Sequence, residues 1–278
     1  FFYPGTQAEI HGVRPSYWQL FDSSVQPDAR VDQVLAWLDL PPDQRPSFVS
    51  LYFEQADVVG HDYGPDSMQV NAALVTVDAA LGRLVEGLRR RGMFDDTNLI
   101  VVSDHGMSGT SAERVVVLDE IVKVDHTELV TAIVNVGINP KPGYEAEVER
   151  ALLAPHPHLQ CWKKENLPKK FHYGHNARIP AIICLPENGW MVGTAAMTSK
   201  HVPLGEHGYD NDDPQMRALF VARGPAFKQH LTAPVFDNIN VYALLAKLLG
   251  VRPLPNEGGL AATAGMLRAG DGSGTMRK

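Results

Sequence analysis

Cysteine, basic charge and long apolar runs are all scarce in this sequence. Only Cys161 and Cys184 occur in 278 residues, which excludes a disulfide-framework protein, and a chain of this length buries a core without staples. The two are read as buried thiols, with a single bridge as the alternative left open. Lys and Arg number 25 against 32 Asp and Glu, a net charge of −7, so no nucleic-acid groove is expected. An acidic chain still binds an anionic substrate where local cations, metal ions included, reverse the field. No apolar run reaches the ~18 residues that would signal a membrane span. No export signal is visible, and there is no Asn-x-Ser/Thr acceptor, which is compatible with a bacterial source. The start, Phe1-Phe2-Tyr3-Pro4-Gly5, lacks the polar lead-in usual at a terminus, so chain preceding Phe1 is expected to be missing.

What is present is an ordinary globular composition, 44% hydrophobic and 21% charged. Asp28 is placed to cap a helix to about Leu38, with Val31, Val34, Leu35 and Leu38 on one face. Ser47 to Phe53 reads as a strand buried on both faces. Asp66 or Ser67 caps a long helix to about Arg91. Its core stripe is Val70, Ala73, Leu74, Val77, Leu81, Leu84, Val85 and Leu88, and Gly92 closes it. Asn98 to Ser103 is the next strand. Strand, helix, strand predicts a βαβ unit and a parallel sheet. Strands follow at Val115–Leu118, Leu129–Val136, Ile179–Leu185, Trp190–Val192 and Arg217–Ala222, with helices at Glu145–Leu153 and Asn238–Leu249. Pro155 to Lys170 is expected to be a basic excursion. Residues 1–255 are taken as one domain and 256–278 as a flexible, Gly- and Ala-rich tail.

Three stretches carry chemistry. Asp57-Val58-Val59-Gly60-His61 puts a carboxylate and an imidazole four residues apart, on a turn or helix start that lets both face one point. Asp104-His105-Gly106 stands at a strand end, where ligands bind in open α/β sheets. Gly205-Glu206-His207-Gly208 is a glycine-flanked loop. The plain alternatives are a helix-capping pair and a strand-end hydrogen bond. Carboxylate with imidazole favours zinc or a similar borderline ion over calcium. Of the other histidines, His126, His156, His158, His201 and His230 are read as packed or surface residues.

Together these pieces resemble the nucleotide pyrophosphatase/phosphodiesterase family of the alkaline phosphatase superfamily. The matching segments are Phe1 to Thr6, Tyr52-Phe53-Glu54-Gln55-Ala56-Asp57-Val58-Val59-Gly60-His61-Asp62-Tyr63-Gly64-Pro65, Val102 to Met107, Phe171-His172-Tyr173-Gly174 and Gly205 to Asn211. The resemblance implies an alkaline-phosphatase-like α/β fold, with a mostly parallel central sheet, helices on both faces, and the N-terminal strands absent from this chain. It implies two zinc ions, one held by Asp57, His61 and His207, the other by Asp104 and His105. That second ion takes two further ligands in the family, an Asp and a Thr or Ser that is also the nucleophile; no residue of this chain matches them. The implied activity is cleavage of nucleotide phosphodiester or phosphoanhydride bonds to nucleoside 5′-monophosphates, through a covalent enzyme intermediate. Alternatives are a phospholipid-headgroup phosphodiesterase and, for this chain alone, a zinc-binding fragment without turnover. The substrate is a small nucleotide or phosphodiester, and the location periplasmic or secreted. Tyr52 is either the aromatic on which the base stacks or a core residue. Tyr173 either lines the pocket or packs, and packing is the reading taken.

Overall fold

A computed structural model of the chain describes residues 8–199 and 202–269. The aromatic start Phe1 to Thr6, His201 and the glycine-rich 270–274 lie outside the described residues. In chain order the helices are α1 (Pro27–Leu38), α2 (Gln55–Tyr63), α3 (Met68–Arg90), α4 (Glu145–Leu152), α5 (Ala195–Thr198), α6 (Asn240–Leu249) and α7 (Ala261–Ala264). The strands are β1 (Leu99–Val102), β2 (Ser108–Gly109), β3 (Val115–Val117), β4 (Thr127–Thr131), β5 (Val136–Pro140), β6 (Leu159–Lys163), β7 (Ile182–Pro186), β8 (Met191–Gly193), β9 (Gly205–Glu206) and β10 (Phe220–Arg223). Short 3-10 turns link several of them. Among the described residues no helix is long and apolar enough to cross a membrane.

The chain divides into two compact units. The first takes the described residues of 1–55, 73–102 and 220–278. Its core joins Val31, Val34, Leu35 and Trp37 of α1 to Ala80, Leu84 and Leu88 of α3. The α1 face is the one the apolar spacing predicts. On α3 the Ser67 hydroxyl accepts the Val70 N–H at 3.1 Å, the expected cap, and the C-terminus closes on Gly92 at φ +65°. The predicted stripe is too wide at one end: Leu74 is 50% exposed, and Ala80, outside the stripe, is fully buried. A second cluster of this unit joins Phe227, Leu244 of α6 and Met266.

Two expectations about this unit fail. Residues 48–53 join no ladder among the described residues. Val49, Leu51 and Phe53 do pack against the α1–α3 core, while Phe48 is 52% exposed, so the segment is buried on one side rather than both, and burial does not select a hydrogen-bonding partner. The neighbouring β1 pairs antiparallel with β10, and the parallel βαβ sheet is not formed here. Of the tail expected over 256–278, the described part as far as 269 packs on this unit. Thr263 of α7 is fully buried, and the backbone of 266–268 bonds to that of 226–228 at 2.8–2.9 Å. A few well-placed apolar side chains, Met266 and Leu267, suffice to hold a Gly- and Ala-rich segment.

The second unit is formed by residues 56–72 and 103–219. Its sheet has the order β4-β5-β7-β6, antiparallel throughout, and α4 covers it through Val148 and Leu152. The one parallel pairing among the described residues is β3 with β8. The basic excursion contains β6, an edge strand of this sheet. Cys161 on β6 and Cys184 on β7 stand opposite each other in register and are joined in a disulfide. This replaces the reading of two thiols: burial alone does not reveal that two cysteines 23 residues apart share a cross-strand position.

Candidate metal centre

The second unit brings all five expected ligands together. Asp57 and His61 lie on α2 at i and i+4, one turn apart on the same face. His207 follows β9, and Asp104 and His105 follow β1. Asp57 Oδ1 is the focus: His61 Nε2 and His207 Nε2 lie 3.6 Å from it, and His105 Nε2 lies 4.0 Å from it. Asp104 Oδ1 is 3.6 Å from His105 Nε2. The His105 and His207 rings stack 3.5 Å apart, and those of His61 and His207 are tilted at 5.1 Å.

Tight backbone packing sets this geometry. The His61 carbonyl accepts the Leu204 N–H at 2.9 Å, which ties the end of α2 to the strand that leads into His207. The approach is so close that Gly60 and Gly205 have no room for side chains. A Cβ at Gly60 would stand 2.3 Å from Met107 Sδ, and one at Gly205 would stand 2.3 Å from the Gly60 carbonyl. The three motifs therefore interlock through glycine and a methionine before any ligand is considered. Gly106 makes a similar approach, since a Cβ there would overlap the Gln215 carbonyl. Ser103 fixes the strand end before Asp104, its hydroxyl accepting the Leu219 N–H at 2.7 Å.

The donor set fits a cation. His61 Nδ1 lies 2.8 Å from the Gly205 carbonyl, and His105 Nδ1 lies 2.9 Å from the Gly106 carbonyl. A carbonyl only accepts, so both Nδ1 atoms carry a proton, and in the neutral ring each Nε2 presents its lone pair toward Asp57. Asp57 Oδ1 is buried and has no hydrogen-bond partner. A buried carboxylate oxygen facing imidazole lone pairs is a costly arrangement without a positive charge among them. Asp57, His61 and His207 each offer a ligand atom within 4.8 Å of the others, the N/O chemistry of a zinc-type ion. Burial, then repulsion from His105, hold the His207 pKa below its ordinary value, which favours the neutral, ligating form. Burial raises the Glu206 carboxyl, with His61 opposing.

Tyr52 belongs to the first unit, where its ring lies 6.1 Å from that of Phe21. Tyr173, read as a packing residue, is 41% exposed; the preceding His172 adopts a left-handed conformation that turns the chain there. His126 stacks on Tyr144 and His158 on Trp190, and His156 bonds the Ala151 carbonyl, as expected of packed residues. Sequence reasoning missed Lys170, which bonds both Asp210 oxygens and Asp212 Oδ2 at 2.6–2.8 Å. This pair ties the Phe171-His172-Tyr173 segment to the chain just after His207. The hydrogen bonds to Asp210 raise the lysine pKa. Its only sequence signal was a Lys169-Lys170 pair before an aromatic, which is not specific.

Residues 1–210 match the family model described as type I phosphodiesterase/nucleotide pyrophosphatase. A venom phosphodiesterase of Naja atra is 36% identical over 266 residues, 93% of this chain and 32% of that protein. A protein of Mus musculus named bis(5′-adenosyl)-triphosphatase enpp4 is 35% identical over 268 residues, 95% of this chain and 57% of that one. The chain thus spans about a third to somewhat over half the length of these curated relatives. Among solved structures, murine ectonucleotide pyrophosphatase/phosphodiesterase 5, an inactive threonine-to-alanine variant in complex with AMP, superposes with a TM-score of 0.90 at 35% identity. The match covers 96% of this chain and 70% of that one, so the two share a fold.

Proposed function

The chain belongs to the type I phosphodiesterase/nucleotide pyrophosphatase family, and from that premise we propose that it carries the metal centre of a zinc-dependent hydrolase of nucleotide phosphodiester or phosphoanhydride bonds. The product is a nucleoside 5′-monophosphate. One observation carries this reading: the unpartnered Asp57 oxygen, ringed by imidazole nitrogens, sits on the family's motif residues. Asp57, His61 and His207 hold one zinc ion; Asp104 and His105 contribute to a second. Zinc, when bound, supplies a Lewis acid that polarises a phosphoryl oxygen and neutralises the charge developing on it.

The chain's own residues do the positioning. Backbone carbonyls of Gly205 and Gly106 lock two imidazoles in one tautomer and one orientation, so the ligands need no rearrangement during the reaction. Imidazole ligands in the neutral form add no negative charge of their own, so the cations keep the centre attractive to a phosphate. Tyr52 stacks on the nucleobase, an interaction worth about 1–3 kcal/mol in other proteins. The reaction passes through a covalent enzyme intermediate that carries the nucleotidyl group, which water releases as the monophosphate, and no Thr or Ser of this chain is assigned as its nucleophile. The AMP complex of the murine relative supports the nucleotide class. The Cys161–Cys184 bridge supports a location outside the reducing cytoplasm, secreted or periplasmic, in keeping with venom and ecto-enzyme relatives.

The test is hydrolysis of bis(p-nitrophenyl) phosphate and of a dinucleotide by the full natural protein. Chelation abolishes both and zinc restores them. His207→Ala lowers kcat/KM by at least ~100-fold, since even partners behind a metal ligand cost 10- to 100-fold. Full activity in that variant overturns the reading, and preference for a lysophospholipid over the dinucleotide redirects the substrate class.

A further inference from the structure

The second unit buries two hydroxyls beside the metal centre. Ser108 is 1% exposed and Thr110 is 6% exposed. Ser108 opens β2 and Thr110 follows it, just past Asp104-His105-Gly106. The two side chains bond in different directions. Thr110 Oγ1 donates to the Pro203 carbonyl at 2.7 Å, and the Thr110 N–H donates to the Leu204 carbonyl at 3.0 Å. Ser108 Oγ donates to Gln215 Oε1 at 3.0 Å. That oxygen also accepts from Asn188 Nδ2 at 2.6 Å, and Asn188 Nδ2 donates again to Asp213 Oδ2 at 2.8 Å. Asp213 Oδ1 accepts the Gln215 N–H at 2.8 Å, which closes the turn.

Each hydroxyl leads through backbone to a different imidazole. Pro203-Leu204 runs into Gly205, whose carbonyl takes the His61 Nδ1 proton, and on to His207. Gln215-Met216 lies against Gly106. The Met216 carbonyl accepts the Gly106 N–H at 3.0 Å, and the Gly106 carbonyl takes the His105 Nδ1 proton.

The strand ladder alone sets neither segment firmly. β2 and β9 pair at Ser108–Glu206 and Gly109–Gly205 and no further. So short and glycine-rich a ladder specifies its register poorly. A slip of one residue would carry the Gly205 carbonyl away from His61 Nδ1 and press a side chain on Gly60, where none fits. The Thr110 hydroxyl opposes that slip by giving one residue a second bond to the facing segment. Val shares the branched shape of Thr and lacks this bond, so shape alone does not require a hydroxyl here.

We propose that Thr110 and Ser108 are positioning residues with separate duties. Thr110 sets the strand that orients His61 and presents His207. Ser108, through Gln215, sets the Gly106 peptide that orients His105. This rests on the reading of two metal sites, and adds to it residues that touch neither ion. Hydrogen bonds behind metal ligands fix ring orientation, and their loss costs on the order of 10- to 100-fold in metal affinity.

The experiment uses the full natural protein, first chelated and then titrated with zinc. In the chelated protein, nitrogen NMR of the histidine side chains reads which ring nitrogen of His61 and of His105 carries the proton. Thr110→Val is expected to disturb the His61 tautomer and leave that of His105 unchanged; Ser108→Ala is expected to do the reverse. On titration, Thr110→Val weakens zinc at Asp57, His61 and His207 about tenfold, and Ser108→Ala weakens the ion of Asp104 and His105 about tenfold. Thr110→Ser keeps the hydroxyl and restores the unmodified behaviour. Gln215→Leu, at an exposed position, reproduces Ser108→Ala and replaces it if that variant does not fold; Thr110→Ala replaces Thr110→Val on the same terms. A merely structural role would disturb both histidines alike or neither, and either result overturns the proposal. If the natural protein binds no zinc, the metal reading fails, and the tautomer comparison by itself decides whether the hydroxyls position the two rings.

Discussion

Arg30 and Glu54 bury opposite charges with their bonds made within the chain, whereas Asp57 buries a carboxylate oxygen with no partner at all. The first cluster is finished by folding. The second points one anionic oxygen and several nitrogen lone pairs at a common centre, and only a cation completes it. The contrast separates two uses of buried charge: directional bonds that fix backbone, and a ligand set whose stabilisation arrives with the ion.

The largest expected effect is on the finished cluster. Arg30→Met leaves the Glu54 carboxylate buried and unpaired, and should cost about 3–5 kcal/mol in urea unfolding. A loss below about 1 kcal/mol would mean that Glu54 finds water and that the pair is not truly buried. Next comes the unfinished cluster. Zinc at a thousandfold excess over its Kd should raise stability by about 4 kcal/mol. Asp57→Asn should abolish that gain, yet change the chelated protein by less than about 1 kcal/mol, since no hydrogen bond of Oδ1 is lost. A large loss in the chelated variant would erase the contrast between the clusters.

The smallest effect is on pH. His207 holds its folded pKa below the ordinary 6.5. Just below that pH the unfolded chain binds a proton that the folded one does not. Chelated protein should therefore lose stability as pH falls through this window, by under ~1 kcal/mol for a partly exposed group. His207→Gln should flatten that part of the urea-midpoint profile, and an unchanged slope would assign it to another group.

Much of the centre was legible in the sequence because its information is local. Asp57 and His61 share a helix face through a four-residue spacing, and a glycine whose need is steric stands next to Asp104–His105 and two residues before His207. The helices were legible for the same reason: α1 and α3 announce themselves by apolar period, by Ser67 and by Gly92. The sheets were not. Residues 48–53, β1 and β10 read as apolar strands with nothing to say which pairs with which, or in which direction. The cysteines fail alike, since a cross-strand register decides whether two buried sulfurs meet.

By itself, then, the sequence determined the candidate ligand motifs, the helices α1 and α3 and the family. Those depend on contacts within a few residues, where spacing is geometry. Only the tertiary structure decided the antiparallel order of the strands, the Cys161–Cys184 bridge, the Lys170 tie to Asp210, and the clamp of Arg30 on Tyr52 and Glu54. The last three each join residues more than twenty positions apart. Such pairings are chosen by the packing of the whole chain, and no local pattern encodes them.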